Sequence, residues 1–109
     1  MILEDANLYF EDIAPSPYMT FTFDLKSDNL PGITHIDGSA RVHTVSMHDN
    51  ELFYKLLEQL KLISGIPVVL NTSLNIKGQP IVCSPRQALG IYACTGMDIL
   101  VIGNYVLEK

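Results

Sequence analysis

Apolar residues recur at helical spacing over residues 50–64 (NELFYKLLEQLKLIS), where Leu52, Phe53, Leu56, Leu57, Leu60 and Ile63 form one stripe. This pattern predicts an amphipathic helix, with Asp49 or Asn50 able to cap its start and Gly65 then Pro67 stopping it. Ser84-Pro85 predicts a second helix start, with Ser as N-cap and Pro at the first helical position. That helix is expected to run to about Cys94 and end at Gly96. Two short apolar runs, Pro67 to Leu70 (PVVL) and Ile99 to Ile102 (ILVI), read as strands buried on both faces. Ile81-Val82 and Tyr105-Val106-Leu107 read as shorter strands, the latter after a Gly103-Asn104 turn.

The first half alternates instead. Tyr18 to Lys26 (YMTFTFDLK) puts Tyr18, Thr20 and Thr22 on one face and Met19, Phe21, Phe23 and Leu25 on the other. Ala40 to Ser46 (ARVHTVS) places Arg41, His43 and Val45 opposite Val42, giving a strand with a basic, polar face. Residues 27–40, with Pro31-Gly32 and Gly38, have the composition of a long connection, and residues 1–16 that of irregular structure. Two apolar strands joined by a helix suggest a parallel βαβ crossover, and the alternating strands antiparallel pairing. The fold class expected is therefore α/β, bordering on α+β, with a mixed sheet in a single domain spanning 1–109.

Composition narrows the function. The chain has 109 residues, 48% of them hydrophobic, which is the globular norm and excludes a disordered tail. Seven Lys plus Arg against twelve Asp plus Glu argue against nucleic acid as the main partner, because phosphate-backbone binding needs a basic face. No apolar run approaches the ~20 residues needed to span a bilayer, and no basic segment precedes an apolar one at the start. The two cysteines, Cys83 and Cys94, lack metal-ligand spacing and read as buried thiols in a reducing compartment, so a cytoplasmic location is expected.

The polar run Asn71-Thr72-Ser73-Leu74-Asn75 directly follows a predicted buried strand. Ligands of open α/β sheets bind outside the carboxyl ends of the strands. Four short hydrogen-bonding side chains there suit a phosphate or carbonyl oxygen, and they equally suit an ordinary Asn- and Ser-rich turn. Arg41, one of only two arginines, suits bidentate phosphate or carboxylate binding; a solvated edge position is the plainer alternative. Lys77 is within reach as a point charge, or simply a loop lysine. His35, His43 and His48 show no HxH, HExxH or His-plus-Cys spacing, so no metal site is expected within the chain. A Ser73–His43–Asp37 triad lacks a GxSxG elbow.

Five segments in order resemble the carbamoyltransferase C-terminal domain, the family of nodulation-type and antibiotic-tailoring O-carbamoyltransferases. Ser16-Pro17-Tyr18-Met19 matches its S-P-Y-M segment, and residues 34–44 (THIDGSARVHT) resemble T-H-x-D-G-[ST]-A-R-x-Q-T. Residues 66–75 (IPVVLNTSLN) resemble x-P-x-L-x-N-T-S-F-N, and Pro80-Ile81-Val82-Cys83-Ser84-Pro85 with Ala88 resembles P-I-V-x-[ST]-P-x-x-A. Thr95-Gly96-Met97-Asp98 and Val101-Ile102-Gly103 continue in register.

The resemblance implies a YrdC-like twisted open sheet with flanking helices, present here as a partial, N-terminally truncated domain. It implies carbamoyl phosphate as substrate and ATP with Mg²⁺, a carbamoyl-adenylate intermediate, and transfer to a hydroxyl by a Kae1-like domain expected upstream. Arg41, Ser73 and Asn75 would be the catalytic residues by this resemblance; His35, His43, Asn71, Thr72 and Lys77 would bind substrate or nucleotide. His43 stands where the family usually has Gln, and Leu74 where it has Phe. The family's upstream Gly/Arg-containing and K-x-R-E-x-F-R-P-F-A-P segments, which supply basic phosphate ligands, have no counterpart. That difference leaves a second expectation open: a non-catalytic binding or interaction module that has lost the chemistry. It also predicts uncovered sheet edges or apolar surface, and self-association as a dimer.

Overall fold

In a computed structural model that describes residues 1–26 and 28–109, the chain is mixed α/β and forms two compact units, Met1–Leu70 and Asn71–Lys109. Ser27, the first residue of the expected long connection, lies outside the described residues.

In the first unit, strand β1 (Thr22–Asp24) pairs antiparallel with β2 (Ser39–Arg41), with Thr22 opposite Arg41 and Asp24 opposite Ser39. Both strands are shorter than the alternation predicts, for identifiable reasons. Met19 adopts a left-handed φ of +55°, which interrupts extension across Tyr18–Phe21. Beyond Arg41 the chain leaves β1 and bonds to residues 1–3 and 16. Val45 N–H donates to Met1 O at 2.8 Å, Leu3 N–H to Val45 O at 2.9 Å, and Thr44 N–H to Ser16 O at 3.0 Å. The expected face of Arg41, His43 and Val45 is thus broken: Arg41 is exposed, His43 half-buried and Val45 buried.

Phe10, with no exposed surface, centres one cluster with Met1, Ala6, Ala40 and Val42; Phe23, Leu25 and Val68 pack on it. Helix α1 (Glu51–Ser64) starts where Asn50 accepts from Phe53 N–H at 3.0 Å. It ends at Gly65, whose φ of +78° suits a residue without Cβ and whose N–H donates to Lys61 O. Its inward side is Phe53, Leu57 and Leu60, packed on Ile2 and Val45. The predicted single stripe divides here, since Leu52, Leu56 and Ile63 are exposed. Pro67 to Leu70 forms no strand: Pro67 is buried and Val68 half-buried, but Leu70 is exposed.

In the second unit, helix α2 (Pro85–Cys94) begins as predicted, with the Ser84 hydroxyl accepting from Gln87 N–H. Strands β3 (Ile99–Ile102) and β4 (Tyr105–Glu108) form an antiparallel hairpin through Gly103, at φ +57°. No parallel crossover joins strands among the described residues: the only strand pairings are β1–β2 and β3–β4. β3 is buried on one face only. Leu100 packs on Ala88 and Tyr92 of α2, while Ile99 and Val101 are exposed. Both cysteines are exposed, contrary to expectation. α2 buries the face carrying Ala88, Ile91 and Tyr92; Cys94 lies off that face and Cys83 precedes the helix cap.

Candidate functional site

The β1–β2 ribbon turns its alternate residues to opposite sides. Ala40 and Phe23 face the core, so Thr22, Asp24, Ser39 and Arg41 share the other face. Arg41 has no hydrogen-bond or ion-pair partner among the described residues. A guanidinium held at a strand end with five unpaired donors is a ready bidentate receptor for phosphate or carboxylate.

The turn leading into β2 is tightly wired. His35 N–H donates to Ser39 O at 2.7 Å, and Gly38, at φ +83°, donates to His35 O. Asp37 Oδ1 accepts from both Ser39 N–H at 3.0 Å and Ser39 Oγ at 2.7 Å. These bonds from Ser39 hold the Asp37 carboxyl below the usual carboxylate range. Because the Ser39 hydroxyl donates to Asp37, it accepts at 3.0 Å from His35 Nδ1–H. That assigns the tautomer and leaves Nε2 of neutral His35 as an acceptor. The chain of His35, Ser39 and Asp37 stiffens the approach to Arg41 rather than activating a nucleophile, since the imidazole donates to the serine.

His43 lines an open concavity with Pro17, Tyr18, Asp49 and Asn50. Its ring packs against Phe53 at 5.9 Å between centroids. Partial burial, then the nearby amino terminus, lower its pKa. The amino terminus donates to His43 O at 2.7 Å, and burial lowers its own pKa from 8.0 to about 6. Ser16 was not foreseen as a structural element. It is fully buried, donates its hydroxyl to Val42 O at 2.9 Å, and donates its N–H to Thr44 Oγ1 at 2.7 Å. The Ser-Pro pair was the available signal; its partners 26 and 28 residues away were not legible.

The polar run lies in the second unit and bonds largely to itself. Ser73 Oγ donates to Asn75 Oδ1 at 2.8 Å, and Asn75 Nδ2 donates to Gln79 O at 2.9 Å and Ile76 O at 3.4 Å. Gly78, at φ +84°, completes this turn. Asn71, Thr72, Ser73 and Lys77 are exposed, and Asn75 is half-buried. Thus His35 and Arg41 are placed on one ribbon, and Ser73 and Asn75 in one bonded turn. The structure assigns the two groups to different units. His48 is fully exposed beside Asp49. No three His, Cys, Asp or Glu side chains among the described residues are grouped to hold a metal ion.

The described residues thus form a mixed α/β chain with an exposed arginine on a polar ribbon in the first unit and a self-bonded Asn/Ser turn in the second. The family profile described as carbamoyltransferase C-terminus matches residues 1–109, so the chain belongs to the carbamoyltransferase C-terminal family. It is 37% identical over 112 residues to nodulation protein NolNO of Sinorhizobium fredii, covering 97% of this chain and 16% of that one. It is 31% identical to the 3'-hydroxymethylcephem-O-carbamoyltransferase of Amycolatopsis lactamdurans, over 94% of this chain and 20% of that enzyme. An uncharacterized Synechocystis protein, sll1178, is 36% identical across the whole chain and 22% of its own length. The chain therefore spans about a fifth of the length of these relatives.

Proposed function

We propose that the chain supplies the anion-binding C-terminal part of an ATP-dependent O-carbamoyltransferase. The observation that carries this reading is the exposed Arg41, without a side-chain partner among the described residues, within a chain matched throughout by the carbamoyltransferase C-terminal family. Carbamoyl phosphate and ATP with Mg²⁺ are the substrates in this reading, and a YrdC-like arrangement holds them. Carbamoyl-adenylate formation gathers several anionic phosphates, so neutralising and orienting them supplies most of the rate. Arg41 clamps phosphate oxygens. In the second unit, taken by itself, Ser73, with its hydroxyl hydrogen on Asn75, offers lone pairs to a ligand N–H, while Asn75 positions that hydroxyl. His35 and His43 line the approach, and Asn71, Thr72 and Lys77 bind the nucleotide. Mg²⁺ would arrive with ATP and would supply charge neutralisation at the phosphates. A Kae1-like part then lets the acceptor hydroxyl attack the carbamoyl carbon as AMP leaves. The setting is cytoplasmic; among the described residues no helix is long and apolar enough to cross a membrane.

The test is titration of the isotope-labelled chain with carbamoyl phosphate and, separately, Mg-ATP, followed by amide NMR. Saturable shifts at residues 35–43 that vanish in Arg41→Ala are expected. Unchanged spectra at millimolar ligand, or binding untouched by Arg41→Ala, would overturn the assignment.

A further inference from the structure

Three polar side chains at the start of β2 fix one another's donors and acceptors. The Asp37 carboxylate only accepts, so the buried Ser39 hydroxyl gives it its one hydrogen, at 2.7 Å. The Ser39 oxygen can then only accept from His35 Nδ1, at 3.0 Å. A neutral imidazole carries one hydrogen, and the bond made at one nitrogen decides the state of the other. With the hydrogen on Nδ1, Nε2 holds a lone pair directed away from Ser39. His35 is exposed and makes no bond at Nε2 among the described residues, so that lone pair is open to a ligand.

The outer face of the ribbon is also polarised along its strands. Asp24 stands opposite Ser39 and is exposed, which adds acceptors at the His35 end. Arg41, opposite Thr22, places only donors at the other end. Ser39 and Arg41 are two residues apart on β2, about 7 Å along the strand. A plain oxyanion satisfies Arg41 but is repelled by Asp24 and Asp37. A ligand that satisfies both ends carries an anion and, a few bonds away, an N–H donor.

We infer that His35 is a specificity-determining residue: Nε2 accepts a ligand N–H while Arg41 holds the anion, so the ribbon selects an anion bearing an uncharged NH₂ over one of the same shape bearing a methyl. This rests on the anion-binding reading proposed above, in which carbamoyl phosphate is the ligand. Ser39 and Asp37 are positioning residues that act through the tautomer of His35.

Acetyl phosphate is the probe, since it carries CH₃ where carbamoyl phosphate carries NH₂. Amide NMR titration of the labelled chain with each, in mildly alkaline buffer, gives the two dissociation constants. The wild type should favour carbamoyl phosphate by about 5-fold or more, the worth of one net hydrogen bond. His35→Ala should abolish that preference by weakening carbamoyl phosphate alone. Ser39→Ala should lower the preference with His35 still in place. Imidazole nitrogen–proton correlations should then show the hydrogen fixed on Nδ1 in the wild type and shared between both nitrogens in Ser39→Ala. Equal wild-type affinities, with both ligands lost in Arg41→Ala, would overturn the role of His35 and leave the anion-binding reading standing. So would a preference unchanged in His35→Ala, or a wild-type imidazole with its hydrogen on Nε2. Binding of neither ligand would overturn that reading and this inference together.

Discussion

Arg41 and Asn75 both stand in segments shared with the carbamoyltransferase C-terminal family, yet they are wired in opposite ways. Arg41 ends β2 with no partner among the described residues, while Asn75 uses both its amide hydrogens and its oxygen on its own turn. An unpaired guanidinium gains on ligand binding because the ion pair it forms is new. A side chain already satisfied gains little, since a new bond replaces an old one. The comparison separates ligand-contacting from positioning roles within one motif set. It predicts that substitutions at the two residues move different observables.

Arg41→Ala has the largest expected effect. Removing a charge-assisted bidentate contact should weaken carbamoyl phosphate binding by about 10- to 100-fold. Stability should change by less than about 0.5 kcal/mol, as for an exposed surface site. Arg41→Lys keeps the charge but not the fork and should recover only part of the affinity. Isothermal titration and urea unfolding read the two quantities; a stability loss comparable to the binding loss would make Arg41 structural.

A pH scan sharpens the setting of the first-unit ribbon. The amino terminus of this 109-residue chain is lowered from 8.0 to about 6 in the fold, and His43 is lowered in the same sense. Both are bases whose charged forms are disfavoured by burial. The unfolded chain therefore binds protons that the folded chain refuses, first at the amino terminus between pH 8 and 6 and then at His43 below its ordinary value of 6.5. Stability should fall as pH drops from 8 to 6. After discount for partial solvent access, the amino terminus contributes about 1 kcal/mol of that loss. Acetylation of the terminus should flatten the slope; an unchanged slope would place the linkage elsewhere.

How far the sequence disclosed this arrangement depended on the range of the interactions. Asn50, Ser84 and Gly65 act through bonds three or four residues away, so both helices were legible from caps and spacing. β3 and β4 were legible because a hairpin is local. The strand through Arg41–Ser46 was not. Its course is decided by Ser16 and by Met1 to Leu3, between 26 and 44 residues away, and alternation carries no trace of them. The division of α1 into a buried and an exposed apolar side was likewise invisible, because periodicity reports a hydrophobic stripe and not its occupant. For the site, residue types pointed to Arg41 and the Asn71–Asn75 run. Only the hydrogen bonds show that Asn75 is committed to its own loop and that Ser39 links His35 to Asp37.

The smaller effects test the other side of the comparison. Asn75→Ala deletes three bonds of a half-buried amide that span residues 73–79. It should cost about 1–2 kcal/mol of stability in the second unit, since freed carbonyls near solvent recover water. Asn75→Asp keeps the oxygen that Ser73 contacts but loses both donors, and should fall close to Asn75→Ala. Ser73→Ala removes one exposed bond and leaves Asn75 its two donor contacts, so its stability cost should stay near 0.5 kcal/mol. Amide exchange at Gln79 and Val82 resolves the cases, because Gln79 N–H bonds Ile76 O and Val82 N–H bonds Leu74 O within the same loop. Faster exchange is expected at both amides in Asn75→Ala and in neither for Ser73→Ala. If Ser73→Ala accelerated exchange as strongly, the hydroxyl would be holding the turn. The positioning role would then belong to Ser73, with Asn75 as the residue free to rearrange toward a ligand.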